Sequence, residues 1–148
     1  MSAVVVLDAG PLGLLVNPNQ RPQPTACRAW LAALRAASRR VVVPEIADYE
    51  VRRELIRIGS HTALANLDAF GAQLDYLPLT TAAMHLAAEF WAQARISGLP
   101  TASDPALDGD VILAAQAHSL NTPVVVATGH VAHLTRFIPA ELWSAITP

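Results

Sequence analysis

Val4-Val5-Val6-Leu7-Asp8 is a short apolar run that closes on a carboxylate, and its valine triplet returns twice along the chain. Val41-Val42-Val43 leads into Pro44-Glu45, and Val124-Val125-Val126 leads into Ala127-Thr128. Runs this short, β-branched and uninterrupted fit strands covered on both faces, as in a parallel sheet. Between them the apolar spacing changes to that of helices. Thr25 to Arg39 carries Cys27, Trp30, Leu31 and Leu34 in helical step. Glu45 to Ile58 follows a proline and sets Asp48 one turn from Arg52 and Tyr49 one turn from Arg53. Thr80 to Ile96 opens on threonine caps and aligns Met84, Ala87, Phe90, Trp91 and Ala94 on one stripe. Asp108 to His118 is apolar nearly all round after its acidic start, which predicts a buried helix. A shorter helix is expected over His61 to Leu74 and a further strand at Asp75 to Pro78. Loops are expected at Asn17 to Pro24 and at Ser97 to Pro105. Strands alternating with helices of this length predict a three-layer α/β/α architecture with a central, mainly parallel sheet.

The composition sets outer bounds. A chain of 148 residues fits one domain over 1–148, and 53% hydrophobic with 15% charged residues excludes a disordered tail or a coiled coil. No apolar run is long enough to span a membrane, and the N-terminus lacks the basic opening of a signal peptide. With Cys27 as the single cysteine, no internal disulfide forms, and a cytoplasmic location is the expectation. Cys27 reads as a core residue rather than a nucleophile. All 10 basic residues are arginines, so lysine-dependent chemistry, including P-loop phosphate binding and Schiff bases, is excluded. The formal net charge of −2 gives no global attraction for nucleic acid. A nucleic-acid substrate would need a local arginine patch, metal ions, or both.

Ligands of open parallel sheets bind beyond the carboxyl ends of the strands. There the sequence is acidic. Asp8 follows the first valine run beside an expected tight turn, Glu45, Asp48 and Glu50 follow the second, and Asp108-Gly109-Asp110 opens the buried helix before the third. Such carboxylates suit a hard divalent cation, which prefers oxygen ligands and can activate water against a phosphodiester. Without a cation, ionised carboxylates at close range repel one another. Plainer roles stay open at each position. Asp8 can satisfy turn amides, Glu50 can pair with Arg53, Asp108 can cap the helix and Asp110 can sit in its first turn. Glu54 shares a face with Glu50 but suits an arginine partner, and His130 and His133 lack the i, i+4 spacing of a zinc pair.

The order of these motifs resembles the PIN domain family. The matching stretches are Val4-Val5-Val6-Leu7-Asp8 with Pro11-Leu12, Glu45-Ile46-Ala47-Asp48-Tyr49-Glu50-Val51, Asp110-Val111-Ile112-Leu113-Ala114-Ala115-Gln116-Ala117 and Val124-Val125-Val126-Ala127-Thr128. Many members of that family are VapC-type toxins, metal-dependent endoribonucleases held inactive by a cognate antitoxin. The resemblance implies an RNA substrate, a Mg2+ or Mn2+ ion, an antitoxin partner and a homodimer. It assigns Asp8, Glu50 and Asp110 to the first three acidic positions, with Asp108 a neighbour sharing the third role, and gives Thr128 the orienting of a metal-bound water. The family often has a further acid soon after that threonine; here Gly129-His130 follows.

Two rivals come from other classes. A PIN-like fold kept as a binding or scaffold module needs no divalent site, and the missing last acid and negative charge favour it. A receiver-type signalling domain needs a lysine near the last strand, which this chain lacks.

Overall fold

The computed structural model describes residues 2–98 and 104–148. Strands β1 (Val4–Leu7), β2 (Val41–Pro44), β3 (Asp75–Leu77), β4 (Val124–Thr128) and β5 (Ala140–Leu142) form one sheet in the order β3-β2-β1-β4-β5. Every pairing is parallel, with Val5 opposite both Val41 and Val125. Helices α1 (Ala9–Val16), α2 (Pro22–Ala36), α3 (Glu45–Ile58) and α4 (His61–Gln73) occupy the first half of the chain. Helices α5 (Thr81–Ile96), α6 (Asp104–His118) and the short α7 (Val131–Leu134) occupy the second.

The valine triplets explain the three layers. Successive side chains of a strand point to opposite faces, so a run apolar at every position feeds two cores. Val5, Leu7, Val41, Val43, Val125 and Ala127 pack with Leu12, Leu15, Cys27, Leu31, Leu34 and Val51 from α1, α2 and α3. Val4, Val6, Val42, Val124 and Val126 pack on the other face with Leu113, Ala114 and Ala117 of α6. Helix α5 then covers α6 through Ala83, Ala87, Ala94, Leu107, Val111 and Ala115, and α6 is buried as its composition predicts. The chain winds outward from β1 to β3 and returns beside β1 as β4. That reversal leaves a crevice beyond the carboxyl ends of β1 and β4.

Several expectations need correction. Asp8 does not enter a tight turn; its carboxylate accepts a 2.7 Å hydrogen bond from the Ala9 N–H and caps α1 directly. Helix α1 breaks the amphipathic pattern because it is sandwiched, and Gly10, Pro11 and Gly13 hide it from propensity alone. Helix α2 starts at Pro22, inside the expected loop, because proline suits the first helical turn, where its missing N–H costs nothing. Helix α6 begins at Asp104, one turn before the predicted start, so Asp108 is not its N-cap and Asp110 is not in its first turn. The expected loop at Ser97 to Pro105 lies largely outside the described residues. The edge strand β5 and helix α7 carried no strong pattern.

A buried polar tie holds the site-bearing helices in register. Gln116 of α6 is 1% exposed; its Oε1 accepts from the Ile46 N–H at 3.0 Å and its Nε2 donates to the Leu77 carbonyl at 2.9 Å. Both partners are backbone groups at the ends of α3 and β3 that helix and ladder leave unsatisfied. Gln116→Ala therefore strands two polar groups and opens a gap, and should cost about 2–4 kcal/mol of stability in denaturant titration. A loss under about 0.5 kcal/mol would show that water replaces the side chain without penalty.

Candidate functional site

Asp8, Glu50 and Asp110 arrive from three distant segments. Asp8 stands at the carboxyl end of β1, Glu50 lies in the second turn of α3 after β2, and Asp110 lies in the second turn of α6. Each is half-buried, and they are close enough to act on one another electrostatically. Burial raises the Glu50 carboxyl above its ordinary value, with Asp8 adding to the rise, Arg53 opposing it and Asp110 adding again. Burial and then the Asp8 charge push Asp110 up to about 6, against His133, His130 and Arg136 pulling the other way. Two carboxyls held above their ordinary range by burial and by the charge of Asp8 mark a place where negative charge is under-compensated.

The best-fixed member is Asp8. Its Oδ1 accepts from Ala9, and its Oδ2 accepts from the Thr128 hydroxyl at 2.7 Å. Thr128 is fully buried and in turn accepts from the His130 N–H at 3.0 Å. The threonine hydroxyl has one proton, and Asp8 takes it. Thr128 thus orients Asp8 itself.

Glu50 keeps a second, weaker partner, with Arg53 Nη2 at 3.8 Å from its Oε2. Arg53 also lies over the Tyr49 ring, 5.0 Å from its centroid, so the Tyr49–Arg53 spacing becomes a cation–π contact. Asp48 is buried and pairs with Arg52 at 2.8 Å, and Glu54 pairs with Arg57, so neither carboxylate turns to the cluster. Asp108 is exposed. Two positions along a helix differ by about 200°, which puts it on the opposite side of α6 from Asp110. It lines a cleft of about 190 Å³ with Ile46, Tyr49, Glu50, Arg53, Gly109 and Ile112. Asp108 and Ile112 are shared with an apolar groove of about 390 Å³ formed with Met84, Ala87, Ala88, Trp91 and Val111.

Sequence reasoning missed the two histidines. His133 Nδ1 lies 3.7 Å from Asp110 Oδ2, and the His130 ring stacks on His133 with centroids 6.1 Å apart. Their signal was position: both follow the strand that ends in Thr128, where a further acid was expected. Arg136, whose charge also reaches Asp110, gave no signal.

The donor set fits a hard cation. It is all carboxylate oxygen, and its charge is under-compensated. Among the described residues, no three His, Cys, Asp or Glu side chains stand close enough to close a cage around one ion. An open set is compatible with Mg2+, which takes one or two carboxylates and keeps several waters.

Comparison with known proteins gives a consistent frame. The family model described as PIN domain matches residues 5–135. No curated protein matches the chain. Among solved structures, VapBC2 from Rickettsia felis, bound to a promoter DNA fragment, aligns with a TM-score of 0.73 at 16% identity, over 95% of this chain and 98% of that one. FitAcB from Neisseria gonorrhoeae aligns with a TM-score of 0.70 at 17% identity, over 97% and 100%. DNA-bound VapBC from Salmonella typhimurium aligns with a TM-score of 0.65 at 21% identity, over 96% and 99%. At such identities the likeness is one of fold.

Proposed function

The chain belongs to the PIN domain family, and from that premise we propose that it is a metal-dependent endoribonuclease, the toxin of a toxin–antitoxin pair. The observation that supports the reading is the reach of the Asp8 charge to both Glu50 and Asp110, with Asp110 pushed up to about 6. A cluster whose ionised form is penalised by burial and by like charge calls for a cation, and oxygen donors call for Mg2+ or Mn2+. The solved structures named as VapBC complexes lend support to a toxin that is paired with an antitoxin.

In this reading Asp8, Glu50 and Asp110 serve the ion directly or through its waters, with Asp108 on the opposite side of α6 from Asp110 and outside the set. When bound, the cation stabilises charge developing on the phosphodiester and makes water a better nucleophile. The chain's own residues do the rest. Thr128 and the Ala9 N–H fix both oxygens of Asp8, so it presents its free lone pairs in one orientation. His133 and His130 stand beside Asp110 as groups able to take or give a proton near the leaving oxygen. Arg53 at the groove and Arg136 beside Asp110 supply the local positive charge that a net −2 chain needs to meet RNA phosphates. The 1–148 chain acts as one domain in the cytoplasm, and the exposed Tyr49, Ile56 and Ile58 of α3 offer apolar surface for a homodimer or an antitoxin segment. A guanidinium from the antitoxin, pairing bidentately with these carboxylates, is the simplest blocking device.

The test is expression with and without any small protein encoded beside this gene. Expression alone should arrest growth, co-expression should relieve it, and the purified chain should cleave RNA with Mn2+ or Mg2+ and stop on chelation. A folded, harmless chain that cleaves no RNA with either metal would favour the scaffold reading.

A further inference from the structure

Gly109 sits inside α6 and is buried. An added Cβ there would lie 2.8 Å from Glu50 Oε2, 3.3 Å from its Cδ and 3.4 Å from its Oε1. The Glu50 carboxylate therefore occupies the space beside Gly109 where a side chain would begin. Nothing else asks for glycine at this position. The positive-φ glycines among the described residues are Gly59 and Gly98, so the backbone at 109 is open to any residue. Alanine is the better helix former in a helix interior. Gly13, in α1, is the contrast: its added Cβ meets nothing within 4 Å.

We propose that Gly109 is a positioning residue, kept without a side chain so that Glu50 can lie across α6 and reach the cluster of Asp8 and Asp110. The proposal rests on the reading of Glu50 as a ligand of the cation. An added methyl meets the far end of a flexible side chain, so the carboxylate yields and the helix does not. Its route is away from Asp8 and Asp110, whose charges oppose it, and towards Arg53 Nη2 at 3.8 Å. In the metal-free chain that displacement relieves repulsion. The same displacement removes a ligand from the cation.

The experiment compares Gly109→Ala, Gly13→Ala, Glu50→Gln and the Gly109→Ala/Glu50→Gln pair. Three quantities are read: metal-free melting temperature, the melting shift on adding Mn2+, and RNA cleavage. Both alanine variants should melt at or above the parent without metal, by about 2–5 °C from helix propensity. Gly13→Ala should keep the Mn2+ response and cleavage. Gly109→Ala should lose Mn2+ affinity and cleavage by roughly 10- to 100-fold, the range for groups that orient metal ligands. In the Glu50→Gln background, Gly109→Ala should cost nothing further. Three results overturn the proposal: Gly109→Ala with full Mn2+ response and cleavage, an additive loss in the pair, or a Gly109→Ala chain that melts below the parent. If Glu50→Gln itself keeps the Mn2+ response and cleavage, the ligand reading of Glu50 falls, and the proposal falls with it.

Discussion

Asp110→Asn, Asp8→Asn and Glu50→Gln should each lower RNA cleavage by on the order of 10²- to 10⁴-fold while the chain stays folded, since a bound cation contributes several kcal/mol of transition-state charge stabilisation. Each substitution keeps shape and removes an anionic ligand. The three are not equivalent structurally. Both oxygens of Asp8 accept hydrogen bonds, one from Ala9 and one from Thr128. An asparagine there accepts only one of the two and turns its amide N–H against the other donor. Asp8→Asn should therefore also loosen the α1 cap, by about 1 kcal/mol. Asp110→Asn carries no such complication and is the cleaner probe. Purified Asp110→Asn that cleaves RNA at the parent's rate would remove this residue from the chemistry.

The second large effect is on stability, and it needs no substrate. The Asp110 carboxyl has an ordinary value of 3.8 and is pushed up to about 6 in the folded chain. The folded state holds the proton after the unfolded state has released it. Stability of the metal-free protein should therefore fall as pH rises from about 4 to about 6 and level off above that. At pH 7 the penalty is fully present. Removing it with Asp110→Asn should stabilise the metal-free chain by about 1–3 kcal/mol, or about 3–8 °C in melting temperature. Below about pH 4, parent and variant should melt alike apart from the change of side chain. Manganese relieves the same penalty in the parent. At a hundredfold excess over its dissociation constant a ligand of the native state adds about 2.7 kcal/mol, and Asp110→Asn should gain far less. Calcium should shift the parent less than manganese, because a small set of carboxylates suits the smaller ion. Equal Mn2+ responses in parent and variant would mean that these carboxylates do not form a metal site.

The parallel sheet and both its cores were readable in the sequence. Three valine triplets leave no polar face, and a strand without a polar face must be covered on both sides. The bounds of α3 were equally readable, from Pro44 at one end to Gly59 in a left-handed conformation at the other. The place of Asp8 was legible too, because a residue just past a strand end has few places to go. The tertiary structure decided what those residues face. Sequence left the Glu50–Arg53 pairing and a role at the cluster as alternatives; the fold gives Glu50 both neighbours, because α3 packs on α6 at Gly109. Sequence put Asp108 and Asp110 together at a helix mouth; the earlier start of α6 and the helical step send them to opposite sides. Sequence offered His130 and His133 as unremarkable; the short α7 sets both beside Asp110. Periodicity reports which face of an element is apolar, and it is blind to which polar side chains meet across elements. That meeting depends on crossing geometry and burial, which exist only once the chain has closed on itself.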